Sequence, residues 1–97
     1  MIKRFDAWAP PFKAWGILYE IGTIVGGPVG FKVDFDTISD APSTFDAEIT
    51  YWNGNDYKTD LIPGPGSHTF IASCACIPKV RFRSHTMGQI LKVTVTS

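Results

Sequence analysis

Apolar and polar residues alternate with a period of two through most of this chain. That rhythm restricts it to strands with one buried face and one wet face. Val29, Phe31, Val33 and Phe35 alternate with Gly30, Lys32, Asp34 and Asp36. Phe45, Ala47, Ile49 and Tyr51 alternate in the same way with Asp46, Glu48, Thr50 and Trp52. Val80 and Phe82 sit between Lys79, Arg81 and Arg83, and Leu91, Val93 and Val95 sit between Ile90, Lys92, Thr94 and Thr96. β-branched and aromatic residues fill these runs, as a pleated surface prefers. Weaker strand patterns cover residues 2–8, 14–25, 57–62 and 68–76, and no window of helical length carries an apolar stripe at a 3.6-residue period.

Turn chemistry separates the runs. Gly26-Gly27-Pro28, Pro63-Gly64-Pro65-Gly66 and Met87-Gly88 are punctuation of the kind that ends strands. Asn53-Gly54 reads as a tight type I′ hairpin turn, because both central residues there need positive φ. Residues 37–44, with Ser39, Asp40, Pro42 and Ser43, read as a longer loop. About eight short strands in one chain predict an all-β, antiparallel β-sandwich of jelly-roll or immunoglobulin-like type, with a small β-barrel as the alternative. At 97 residues, 1–97 forms a single domain with one core.

No apolar run reaches the ~18 residues a membrane-spanning helix needs. Asp6, Pro10, Pro11 and Lys13 interrupt the start of the chain, so no secretory signal peptide is expected and the compartment stays open. The reading is of a soluble chain. Two cysteines, Cys74 and Cys76, are too few for a disulfide framework.

Nine acids balance nine bases, but they are segregated along the chain. Residues 34–60 hold seven acids (Asp34, Asp36, Asp40, Asp46, Glu48, Asp56, Asp60) against Lys58, a net of −6. Residues 61–97 hold no acid and four bases (Lys79, Arg81, Arg83, Lys92). A near-neutral surface with separated signs favours association and sets its orientation. Asp34, Asp36, Asp46 and Glu48 form an expected acidic face, and Lys79, Arg81 and Arg83 a basic one. The two faces match each other either across strands or between subunits. No cofactor is expected, unless the four carboxylates converge with loop carbonyls into the roughly six-to-eight-oxygen shell that calcium requires. Nucleic acid is disfavoured by the absence of a positive overall balance.

Trp52, Asn53, Asn55, Asp56 and Tyr57 cluster at the expected hairpin tip. Aromatic faces beside amides and carboxylates suit the apolar face and hydroxyl rim of a sugar ring. Trp52 carries the polar parity of its strand and should lie on the outer surface. Trp8, Phe12, Trp15 and Tyr19 read as core and edge cover. Cys74 and Cys76 read first as small buried thiols. An inter-subunit disulfide is the alternative, because a bridge across one residue of an extended strand is near its geometric limit. Zinc would need His68 and His85 to complete a set of about four ligands. Ser67, Ser73, Ser84, Cys74, His68 and His85 fit no nucleophile-elbow or oxyanion-hole pattern, so no catalytic residue is assigned and the chain reads as a non-enzyme.

Two functions follow. The first is a structural or interaction protein that forms a homo-oligomer or joins a larger assembly through its acidic and basic faces, with Ile90–Thr96 as an edge strand open to a neighbour. The second is a carbohydrate-binding, lectin-like module using Trp52, Tyr57 and the Asn53–Asp56 turn, assisted by calcium.

Overall fold

The structure is a computed structural model that describes residues 1–24, 26–38 and 44–97. Ser39, Asp40, Pro42 and Ser43 of the expected loop, and Val25, lie outside the described residues. The described residues form eight strands: β1 (Ile2–Ala9), β2 (Tyr19–Glu20), β3 (Val29–Thr37), β4 (Phe45–Asn53), β5 (Asp56–Gly64), β6 (Gly66–Ala72), β7 (Lys79–Ser84) and β8 (Gln89–Thr96). They form two antiparallel four-stranded sheets, ordered β1-β8-β3-β6 and β2-β7-β4-β5. No helix among the described residues is long and apolar enough to cross a membrane.

The pairing has a simple logic. First strand pairs with last, second with second-last, third with sixth, and fourth with fifth. The chain thus behaves as one long antiparallel hairpin rolled into two layers, which is the jelly-roll arrangement. The β3–β8 and β4–β7 pairs complete the sheets. Every connection except the β4–β5 hairpin carries the chain from one sheet to the other.

Burial follows the two-residue rhythm. Phe31, Val33 and Phe35 of β3, Phe45, Ala47 and Ile49 of β4, Val80 and Phe82 of β7, and Leu91, Val93 and Val95 of β8 point into the space between the sheets. Phe35, Phe45 and Phe82 meet edge to face, with ring centroids 5.9–6.3 Å apart. Such contacts add roughly 0.5–1.5 kcal/mol each to the burial term. Phe31 stacks on Phe70 at 5.1 Å towards one end of the core. A Cβ on Gly64 would collide with the Phe45 ring, so the end of β5 needs a residue without a side chain.

Three expectations change. The 14–25 run keeps only Tyr19–Glu20 as a strand. After Pro10-Pro11, Phe12 and Lys13 take left-handed φ values of 57° and 60°. The segment is instead tied along β7 by backbone donation from Phe12 to Thr86, Lys13 to Ser84 and Gly16 to Phe82. The hairpin loop is Gly54-Asn55, closed by Asn53 and Asp56. Only Gly54 has positive φ, at 64°, so the turn fits type II′ rather than type I′. Finally, Ile90–Thr96 is not an edge. β8 lies between β1 and β3, because the rolled hairpin brings the last strand back against the first.

Phe82 is fully buried and touches Tyr19, Phe35 and Phe45. Phe82→Ala should therefore cost about 3–5 kcal/mol, measured as a lowered urea midpoint with little change in the slope of the unfolding transition.

Candidate functional site

The outer face of the β2-β7-β4-β5 sheet collects most of the chemically useful side chains. Alternation sends Asp46, Glu48, Thr50 and Trp52 outward from β4, Lys79, Arg81 and Arg83 from β7, and Tyr57, Thr59 and Leu61 from β5. The face divides into an aromatic cleft at the hairpin end and a charge network at the other.

The cleft has a volume of about 400 Å³ and is walled by Glu20, Thr50, Trp52, Tyr57, Cys76 and Lys79, among others. Trp52 and Tyr57 are directly opposite in the β4–β5 register. Their rings lie 5.1 Å apart, tilted by 57°, and stay 38% and 57% exposed. The tip is held in place from the side. Ser73 N–H donates to the Trp52 carbonyl at 2.9 Å, and Gly54 N–H donates to the Ser73 carbonyl at 2.8 Å. The Ser73 hydroxyl accepts from Gly54 N–H and donates to Asn53 Oδ1 at 3.2 Å. Asn53 is thus engaged within the chain, and Asn55 and Asp56 sit exposed at the turn rather than in the wall. The polar rim is made by Glu20, Thr50 and Lys79 instead. Glu20 faces Lys79 across β2–β7, and Thr50 faces it across β4–β7.

Arg81 and Arg83 leave Lys79 and join the acids of β4. Arg81 lies opposite Glu48 and Arg83 opposite Asp46. Each guanidinium donates from Nε to a carboxylate oxygen at 2.8 Å, Arg81 to Glu48 Oε1 and Arg83 to Asp46 Oδ2. The Trp15 ring covers both guanidinium groups, 4.7 Å from Arg81 and 4.3 Å from Arg83, within cation–π range. His85 Nε2 lies 3.0 Å from Asp46 Oδ1, and its Nδ1 is 3.1 Å from the Thr44 hydroxyl. His85 thus bridges the Asp46 carboxylate and the Thr44 hydroxyl through its two ring nitrogens. Asp46, Glu48, Arg81, Arg83 and His85 therefore pair with one another across strands of one molecule.

Asp34 and Asp36 are elsewhere. They point outward from β3 on the other sheet, beside Lys32 and Lys92. Lys32 Nζ is 4.0 Å from Asp34, and Lys92 stands between Asp36 and Asp6. The expected acidic face is split because the chain changes sheets between β3 and β4. Asp34 and Asp36 thus stand on one sheet and Asp46 and Glu48 on the other, so these four carboxylates do not converge on one point. His68 and His85 likewise do not join the cysteines.

Cys74 and Cys76 lie beyond the end of β6, not within it, and their sulfurs are bonded to each other. This corrects both the buried-thiol reading and the bridge between subunits. The strand argument fails because the chain turns here, with Cys76 N–H donating to the Cys74 carbonyl at 2.7 Å. Of the serines, Ser84 is fully buried and accepts from Gln89 Nε2, Ser73 holds the hairpin tip, and Ser67 faces outward on β6.

A second polar cluster sits where β5 and β6 meet. Tyr51 donates its hydroxyl to Asp60 Oδ2 at 2.9 Å, and His68 Nε2 shares the same oxygen at 2.9 Å. Sequence reading missed this trio because its members come from three strands, and only the pairing Ile49–Asp60 brings Tyr51 within reach. Burial, the Asp60 hydrogen bond and the Asp60 charge push the Tyr51 phenol up to about 12. At Asp46, burial alone would raise the carboxyl. The hydrogen bonds from Arg83 and His85, with their charges, outweigh it and hold the group below its ordinary range.

No protein-family model, curated protein or solved structure matches the chain.

Two pH responses follow. The lowered Asp46 carboxyl contributes stability present above the ordinary aspartate range and lost as pH falls through its folded value. Asp46→Ala should cost about 1–3 kcal/mol near neutral pH and flatten the acid limb of a stability–pH curve. The raised Tyr51 phenol contributes stability that is complete below pH ~10 and lost as pH rises through about 12. Ultraviolet titration of the folded protein should show one of the three tyrosines ionising last, and Tyr51→Phe should remove that late step.

Proposed function

We propose that this chain is a non-enzymatic binding module whose aromatic cleft receives a carbohydrate. The observation that carries the reading is the exposed Trp52–Tyr57 pair beside a cleft edged by Glu20, Thr50 and Lys79. A pyranose ring offers an apolar C–H face that an indole can cover. Its hydroxyls can meet a carboxylate, a hydroxyl and an ammonium group, the few convergent polar groups that orient a ligand in such sites. The cleft is open and small, which suits one or two sugar units rather than a buried cofactor. Calcium has no part in this reading, since the acids once considered for it are distributed over two faces.

The alternative reading, an assembly held by acidic and basic faces, loses the support of Asp46, Glu48, Arg81 and Arg83, each engaged within the chain. Self-association remains a proposal only if it uses another surface.

Titration of intrinsic tryptophan fluorescence with a panel of neutral and acidic glycans tests the cleft. At least one sugar should change the emission saturably, and Trp52→Ala should weaken that binding by about tenfold or more, the scale of losing a central aromatic contact. Trp15, covering the arginines, serves as the control position. No saturable change with any sugar would end the proposal.

A further inference from the structure

The open edge of β5 is built to pair with itself, and we propose that two copies of this chain associate through antiparallel β5–β5 contact. Among the described residues β5 ends its sheet, with β4 on one side only. Asn53 and Asp56 close a two-residue loop, so they exchange both backbone hydrogen bonds, and every second pair along the ladder does the same. Those pairs are Tyr51–Lys58, Ile49–Asp60 and Ala47–Ile62. The N–H and C=O groups of Tyr57, Thr59 and Leu61 therefore point to the open side. Pro63 belongs to the same open-facing set, where its missing N–H costs the sheet nothing.

Placing Thr59 opposite Thr59 of a second copy sets Tyr57 opposite Leu61 of that copy, and the reverse. All of these groups are open-facing, so about six backbone hydrogen bonds can form. Tyr57 and Leu61 share the outer face and are 57% and 58% exposed, so each would cover the other. Between them, Lys58 of one copy meets Asp60 of the other, twice. Asp60 binds Tyr51 and His68 through Oδ2 alone in these contacts.

The register is specified by charge. A shift one way, with Thr59 opposite Leu61, would face Asp60 with Asp60 and spend Pro63 on Tyr57. A shift the other way, with Thr59 opposite Tyr57, would face Lys58 with Lys58 and Asp60 with Asp56. Like charges directly opposite are destabilising, and the buried face makes a one-residue slip worse still. Pro63 and the Gly54-Asn55 turn end the ladder, so the contact closes a dimer rather than seeding a longer sheet. A contact of one short strand lies at the small end of specific interfaces, so the dimer is weak and concentration-dependent. The contact shares Tyr57 with the cleft but needs no ligand there.

Sedimentation velocity on the full chain from about 10 μM to about 1 mM tests it, a range set by the weak affinity expected of so small a contact. The wild type should shift from monomer towards dimer and no further. Thr59→Pro removes an open-facing N–H without touching the β4 ladder, and Lys58→Glu sets like charges opposite Asp60; neither residue walls the cleft. Each should raise the dimer dissociation constant at least about tenfold, with the strand circular dichroism and urea midpoint unchanged. Raising salt should weaken the wild-type dimer. A wild type that stays monomeric throughout, that grows past a dimer, or whose dimer survives both substitutions would overturn the proposal.

Discussion

The edge-to-face packing of Phe35, Phe45 and Phe82 is the contact on which the other features rest. These three side chains come from β3, β4 and β7, and so from both sheets. A small domain has little apolar surface to spare, and here much of it is invested in one aromatic cluster between the layers. Once those rings face inward, the pleat dictates which residues face outward. Trp52, Lys79, Arg81 and Glu48 reach the surface because their neighbours in sequence are needed inside.

The outward charges are then sorted by register, not by position along the chain. Asp46 and Glu48 belong to an acid-rich stretch, and Arg81 and Arg83 to an acid-free one, yet β4 and β7 lie side by side with each acid opposite a base. Half-buried under Trp15, these pairs are screened less than isolated surface ion pairs. The network therefore fixes the edge segment around Trp15 against the sheet. What remains unneutralised on that face lies at the hairpin end, around Lys79 and Glu20, where the aromatic rings are.

The sandwich, its strand number and most inner residues were legible from alternation and turn residues alone, since both encode local geometry. Trp52 could be placed on the outer face by parity. What could not be read was adjacency. Nothing local in Lys79 or Glu20 says that they flank Trp52, and nothing in Asp60 says that Tyr51 and His68 share its oxygen. Those facts depend on which strands are neighbours, and the jelly-roll order sets β7 against β4 and β8 against β1. The same order overturned the edge reading of Ile90–Thr96. Proximity in sequence also misled at Cys74 and Cys76, where a turn replaced the expected strand and brought the sulfurs together. Two prolines and two left-handed residues likewise cut the 14–25 strand down to Tyr19–Glu20.

The central seat of β8 between β1 and β3 has a consequence for biosynthesis. On a ribosome, the amino-terminal strand emerges first but its hydrogen-bonding partner emerges after all the other strands. Until then, the inward sides of Ala7, Ala9 and Val33 have no Leu91, Val93 or Val95 to lean on. Distant pairings of this kind are slow to close. The β1-β8-β3-β6 layer therefore stays unfinished until β8 is available to fill its centre.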